Sequence, residues 1–271
     1  MNRFNVLFIL ITGLVFTSSC SVNTAEIDND LKKYFDTRNV DGCFTMLNNA
    51  TGKVTVYNMK LDTMRFSPAS TFKIVNSLIG LETGRITNDS MIIKWDGKRR
   101  PVKEWNRNMN MREAFKVSSV PYYQEVARRI GPDTMKLWID SLSYGNKNIE
   151  GPIDSFWLNN TLKISPDEQL GLVKKLYFDQ LPFRKSVQQT VREVMLQEDN
   201  TAYKLSYKTG WGSDEQNNSI GWVAGWIEEN NHPYFFVTFV RSSDPDIDMP
   251  GVRMNITKDI LKHLGFFEGK K

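Results

Sequence analysis

Ser70 and Lys73 stand three residues apart in the stretch SPASTFKIVNSLIGLETG, residues 67–84. On a helix, positions i and i+3 share a face, so a hydroxyl and an amine at this spacing can meet. A serine hydroxyl becomes a nucleophile when a neighbouring base takes its proton. Lysine is such a base only when neutral, and burial is what drives an ammonium to release its proton. The neighbours of Lys73 are Phe72, Ile74 and Val75, an apolar setting for a residue that ordinarily stays in water. The chemistry this pair would support is attack by a serine with a nearby base, at a helix start whose field favours developing negative charge. S-x-x-K alone is short and common, and an exposed lysine one turn into a capped helix gives the same letters.

The rest of the chain offers few other bases. Its two histidines, His232 and His263, fall in a hairpin turn and in the last helical segment, which speaks against a Ser-His-Asp triad and a catalytic zinc. Two cysteines, Cys20 and Cys43, make neither a disulfide framework nor a cysteine-rich metal site, and Cys43 reads as a small core hydrophobe. No Gly-rich phosphate loop or dinucleotide fingerprint occurs. The 35 basic and 31 acidic residues are interspersed, so no nucleic-acid partner is expected.

The elements that must position Ser70 and Lys73 follow from periodicity. GCFTMLNNATGKVTVYN reads as a hairpin. Residues 67–84 read as one helix with Ser67 as N-cap and Pro68 at the first helical position. From about 105 to 200 the periods are mostly helical. Strands return in YKLSYKTGWG, SIGWVAGWIEE and PYFFVTFVRSS, the last two joined by the NNH turn, and NITKDILKHLGFF closes the chain with Ile256, Ile260 and Leu264 on one face. The expected fold class is α+β: one antiparallel sheet from both ends of the chain, flanked by helices, with an all-helical lobe over roughly 67–200 and a cleft between.

The amino terminus has another character. Residues 1–19 carry Arg3, an apolar run from Val6 to Phe16 and small residues leading to Cys20, the layout of an export signal. The run is shorter than the roughly 20 residues of a membrane span. The small residues before Cys20 resemble a bacterial lipoprotein cleavage site, making Cys20 the lipid acceptor and 21–271 the mature domain. An uncleaved anchor and a soluble periplasmic form are the alternatives. The expected location is the periplasm, with or without a lipid anchor in the membrane.

STFK, then SSV (Ser118, Ser119, Val120), YGN (Tyr144, Gly145, Asn146), FWLNNTLKIS and KTGW (Lys208, Thr209, Gly210, Trp211) occur in one order. That ordered set resembles the class D, or OXA-type, serine β-lactamases, over nearly the whole chain from about residue 30. The resemblance implies a β-lactamase/transpeptidase-like fold and a small-molecule β-lactam substrate. It implies that Ser70 is acylated, with the N–H groups of Ser70 and Trp211 as the oxyanion hole. It also implies that Lys73 carries CO2 as N6-carboxylysine and serves as general base for acylation and deacylation. No metal or other cofactor is implied beyond CO2 or bicarbonate. Val120 would keep the amine dry where class A enzymes have a polar Asn, and Trp157 would donate its indole N–H to the carbamate. Ser118, beside Lys208, would relay a proton to the leaving nitrogen. Thr209, Gly210 and Arg253 would hold the substrate carboxylate, with Arg241 the competitor for Arg253. Tyr144 to Asn146 read as a turn supporting the cleft, and EVMLQ at 193–197 only faintly resembles the class A loop with a deacylating glutamate. The rival readings are a penicillin-sensing domain that stays acylated, a cell-wall transpeptidase or carboxypeptidase, and a non-catalytic wall-binding lipoprotein. Substrate preference rests on the loops 94–109 and 213–218, and oligomeric state is left open.

Overall fold

The buried run Gly42–Leu47 alternates between two cores: Cys43 and Leu47 enter one apolar cluster, Phe44 and Met46 the other. That is the signature of a central strand covered on both faces. The computed structural model describes residues 25–271; the segment 1–19 expected to be an export signal and Cys20 lie outside the described residues. Seven strands form one sheet among them: β1 (Ala25–Ile27), β2 (Asp41–Asn48), β3 (Val54–Tyr57), β4 (Leu196–Asp199), β5 (Lys204–Ser213), β6 (Ser219–Glu229) and β7 (His232–Ser242). Their order is β1-β3-β2-β7-β6-β5-β4, so strands from both ends of the chain meet at the β2–β7 pair. Every pairing is antiparallel except the short edge strand β1, which runs parallel to β3.

The helices are α1 (Lys32–Asp36), α2 (Met59–Asp62), α3 (Lys73–Glu82), α4 (Met111–Lys116), α5 (Val120–Ile130), α6 (Pro132–Ser141), α7 (Pro166–Tyr177), α8 (Lys185–Met195) and α9 (Met249–His263). One sheet face packs on α9 through Ile256, Ile260 and Leu261. The other meets α7, which touches β2, β6 and β7 and so joins the sheet to the remaining helices. Helix α9 starts earlier than the NITKD run suggests, because the Asp248 carboxylate caps it by accepting from Gly251 N at 3.1 Å.

The helix expected from Ser67 begins later. A single 3-10 turn, Ala69–Phe72, precedes α3, and Ser70 sits in that turn. Ser67 does not cap it; its hydroxyl donates to the Trp157 carbonyl at 2.9 Å. Ala69 adopts φ +47°, a left-handed conformation that interrupts a regular helix and costs on the order of 1–3 kcal/mol for a non-glycine residue. The segment MREAFKVSSVPYYQEVARRI likewise splits into α4 and α5. Ser118 takes φ +52° at the break, Ser119 caps α5 by accepting from Tyr122 N, and Pro121 cannot continue the ladder from α4.

Candidate active site

The 3-10 turn and the first residue of α3 bring the two groups together: Lys73 Nζ donates to Ser70 Oγ at 2.6 Å. Lys73 is fully buried, and burial alone pulls its ammonium down to about 7, so both protonation states are populated near neutrality. The Tyr123 ring lies 5.6 Å from Nζ, an aromatic face toward the amine. Tyr123 is held in turn by Ser77 Oγ, 2.8 Å from its hydroxyl, and by Asn76 Nδ2, which donates to its carbonyl at 3.1 Å. These bonds lock α5 onto α3. Val120 opens α5, half-buried, one turn before Tyr123 on the same helix face.

Trp157 lies in the turn-rich stretch between α6 and α7, with its ring stacked on Phe72 at 5.4 Å. The indole N–H is buried and finds no hydrogen-bond partner among the described residues. A buried donor in that state costs on the order of 1–3 kcal/mol and calls for an acceptor. The side chain beside the lysine's own neighbour is therefore a donor looking for an oxygen.

Ser118, between α4 and α5, and Lys208, on β5, meet: Lys208 Nζ donates to Ser118 Oγ at 3.0 Å and to the Thr209 carbonyl at 3.0 Å. Burial pushes the Lys208 ammonium well down, and the charges of Lys73 and Arg253 push it further. An amine that holds its proton less tightly than usual is suited to pass one to the serine beside it.

Strand β5 carries the KTG residues along the catalytic turn. A Cβ at Gly210 would stand 3.0 Å from the Pro68 carbonyl and 3.1 Å from Trp222, so a side chain there would push its neighbours back by a few tenths of an ångström and glycine suits this close approach. Trp211, between Gly210 and Gly212, exposes 55% of its surface and donates from its indole to Ser219 Oγ at 3.0 Å. Arg253, near the start of α9, reaches through the sheet edge to the Gly210 carbonyl. Burial draws its guanidinium down to about 10, and its Nε is buried with no partner. Arg241 is committed elsewhere: its Nε donates to Asp214 at 2.6 Å, and its other nitrogen to Gln216, fixing the β5–β6 turn. The two arginines thus separate clearly, with Arg253 against the KTG strand.

Tyr144 is buried edge-on to Phe72 at 5.7 Å. Asn146 clamps the stretch after Trp157, donating to the Thr161 carbonyl at 2.8 Å and accepting from Lys163 N at 3.0 Å. Glu193 is half-exposed on α8 and pairs with Arg112, away from the Ser70–Lys73 pair. The spacing of Tyr123 from Val120 was the available signal for the aromatic over the amine, and the sequence reading passed over it. Two buried contacts had no such signal: Ser67 on Trp157, and Gln169 donating to Thr71 Oγ1 at 2.5 Å.

Residues 42–262 match the model of the penicillin binding protein transpeptidase domain family. β-Lactamase OXA-5 of Pseudomonas aeruginosa is 36% identical over 259 residues, covering 94% of this chain and 96% of the relative. The crystal structure of FUS-1 (OXA-85), a class D β-lactamase from Fusobacterium nucleatum subsp. polymorphum, superposes with a TM-score of 0.85 at 35% identity, over 90% of this chain and all of that one. The C-terminal domain of the Bacillus licheniformis BlaR penicillin receptor superposes with a TM-score of 0.84 at 31% identity, over 90% of this chain and 97% of that one.

Proposed function

Since the chain belongs to the penicillin-binding transpeptidase family and, within it, to the class D serine β-lactamases, we propose that it hydrolyses β-lactams through a Ser70 ester, with Lys73 carboxylated by CO2. One observation carries the reading. A fully buried amine drawn down to about 7 lies 2.6 Å from the serine, while the indole of Trp157, stacked on the neighbouring Phe72, is a buried donor without an acceptor.

The neutral Lys73 nitrogen attacks CO2: an N–C bond forms, one C=O electron pair moves to oxygen, and the nitrogen gives up a proton. The adduct supplies an anionic oxygen base where the amine alone would be a cation at lower pH. Trp157 fits as the donor to that anion, and the apolar side chains around Lys73, Val120 among them, exclude the water that would return it to CO2. Ser70 Oγ gives its proton to the Lys73 adduct as it bonds to the lactam carbonyl carbon, whose C=O electron pair moves to oxygen, and the N–H groups of Ser70 and Trp211 receive that charge. The ring C–N bond then breaks. Ser118 gives its proton to the departing nitrogen and is resupplied by Lys208, to which it is already hydrogen-bonded. A water deprotonated at the Lys73 side hydrolyses the ester. Thr209 and Arg253 hold the substrate carboxylate, and the bare Cα of Gly210 keeps that wall of the cleft close to the catalytic turn.

The likeness to a penicillin receptor supports a second reading, a domain that is acylated and stays so. Nitrocefin hydrolysis by the purified protein, with and without bicarbonate, separates the two. Repeated turnover that falls on CO2 depletion and vanishes in Lys73→Ala is expected; one equivalent of stable acyl-enzyme with each penicillin tried would overturn the hydrolase. Residues 1–19 support export to the periplasm, and Cys20 supports a lipid anchor there. Labelled palmitate incorporated by the full chain and lost in Cys20→Ala is the expected result for the anchor.

A further inference from the structure

Trp157 stands in a stretch, residues 142–165, without helix or strand; backbone bonds pin it to Phe66 at Ile164, seven residues beyond Trp157, and turn bonds of Ser155 and Phe156 flank the tryptophan. Its carbonyl accepts from the hydroxyl of Ser67, at 2.9 Å, and Ser67 is almost wholly buried. The carbonyl of Ser67 in turn accepts from the indole N–H of Trp222 at 3.0 Å. Trp222 pairs across the sheet with Gly210 of the KTG strand, and its side chain is the one a Cβ at Gly210 would meet. Three parts of the site that lie far apart in the chain are therefore tied at one small residue: the Trp157 stretch, the turn bearing Ser70, and the β5–β6 pair. The stacking of Trp157 on Phe72 fixes the plane of the indole against the turn, while a stacked ring is free to slide in that plane. The Ser67 hydroxyl supplies the missing restraint along it, because a hydrogen bond is directional where stacking is not.

We infer that Ser67 is a positioning residue for Trp157, setting where the indole N–H points and hence how well the Lys73 adduct is held. The inference rests on the carboxylation proposed above. At metal sites, groups that orient a ligand through a hydrogen bond change affinity by roughly 10- to 100-fold when removed, and we expect leverage of the lower end of that size here. The residue does not touch substrate, so its effect should fall on the CO2 requirement and leave the substrate KM of the fully carboxylated enzyme near that of the parent.

The test is the bicarbonate concentration giving half-maximal nitrocefin turnover, measured for the parent, Ser67→Ala and Ser67→Cys. A roughly tenfold rise is expected for Ser67→Ala, and a smaller one for Ser67→Cys, whose thiol is a weak donor. With 13C-labelled bicarbonate, the carbamate carbon resonance should need correspondingly more bicarbonate to appear. Gln188→Ala removes a buried side chain that donates to the Leu181 and Phe183 carbonyls far from Lys73. It should lower the melting temperature without moving the bicarbonate midpoint, which separates positioning from general loosening. Ser67→Cys keeps the volume and reports on the same bond should Ser67→Ala fail to fold. A bicarbonate midpoint equal to that of the parent in the serine variants overturns the inference and leaves the carboxylation standing. Indifference of the parent itself to bicarbonate overturns both.

Discussion

Acidification at fixed dissolved CO2 tests the buried amine most directly. With Lys73 held down to about 7 by burial, the neutral fraction is about one-tenth at pH 6 and about nine-tenths at pH 8. The proposed adduct forms from the neutral amine with loss of a further proton. Below pH 7 two protons must therefore leave the ammonium for each adduct made, and above pH 7 only one. At CO2 concentrations far below saturation, the logarithm of the turnover rate should climb with a slope near 2 below pH 7. The slope should fall toward 1 above it, then flatten as the site fills. The assay is initial-rate nitrocefin hydrolysis after equilibration in sealed vessels at constant dissolved CO2, with circular dichroism confirming the fold at each pH. A saturating CO2 series at pH 8 supplies the ceiling. Stability should carry the same signature with its own sign. The folded-state value lies below the unfolded 10.5, so the native state binds fewer protons between about 7 and 10.5, and the ammonium's burial cost is relieved across that window. In the absence of CO2 this relief amounts to about 5 kcal/mol at most. A pH–rate slope that never exceeds 1 below pH 7, or a midpoint near the ordinary lysine value, would refute both the dry amine and the adduct built on it.

Three further outcomes follow from particular contacts. Trp157→Phe leaves an aromatic ring beside Phe72 and removes the unpartnered N–H; without CO2 the relieved donor offsets the cavity left by the smaller ring, so its stability should stay within about 1 kcal/mol of the parent, while its bicarbonate requirement rises sharply; thermal melts and the nitrocefin titration read the two effects. Arg253→Ala should raise the KM for a penicillin by roughly 10- to 100-fold, the weight of a charged hydrogen bond, whereas Arg241→Ala, which frees Asp214, should alter KM by less than about threefold. Asp62 is a buried carboxyl pushed up to about 7 by burial and by the charge of Asp167, so it loses stability as pH rises from about 4 through 7. Asp62→Asn should therefore stabilise the protein by about 4 kcal/mol at pH 8 and by about half of that at pH 5, checked by urea unfolding at both values.

The sequence by itself determined the three-residue spacing of Ser70 from Lys73, the apolar company of that lysine, and the run of strands and helices that builds a two-faced sheet. Those features are local: a period of 2 or 3.6 and a three-residue spacing are written within one element. The tertiary structure decided where elements distant in the chain meet. Ser118 finds Lys208, and Ser67 finds Trp157, each across 90 residues; Arg253 finds Gly210 across 43. It also decided the shape of the catalytic turn. The expected single helix from Ser67 gives way to a 3-10 turn entered through a left-handed Ala69, because the Ser67 hydroxyl is taken by Trp157 and the backbone of β5 presses against Pro68 and Ala69. Local propensity offers a cap at Ser67, and a buried carbonyl with no other partner outbids it. The different surroundings of Arg253 and Arg241 are of the same kind. Both are single charges near the end of the chain, and only packing shows that Asp214 holds one while the other lies buried against the KTG strand.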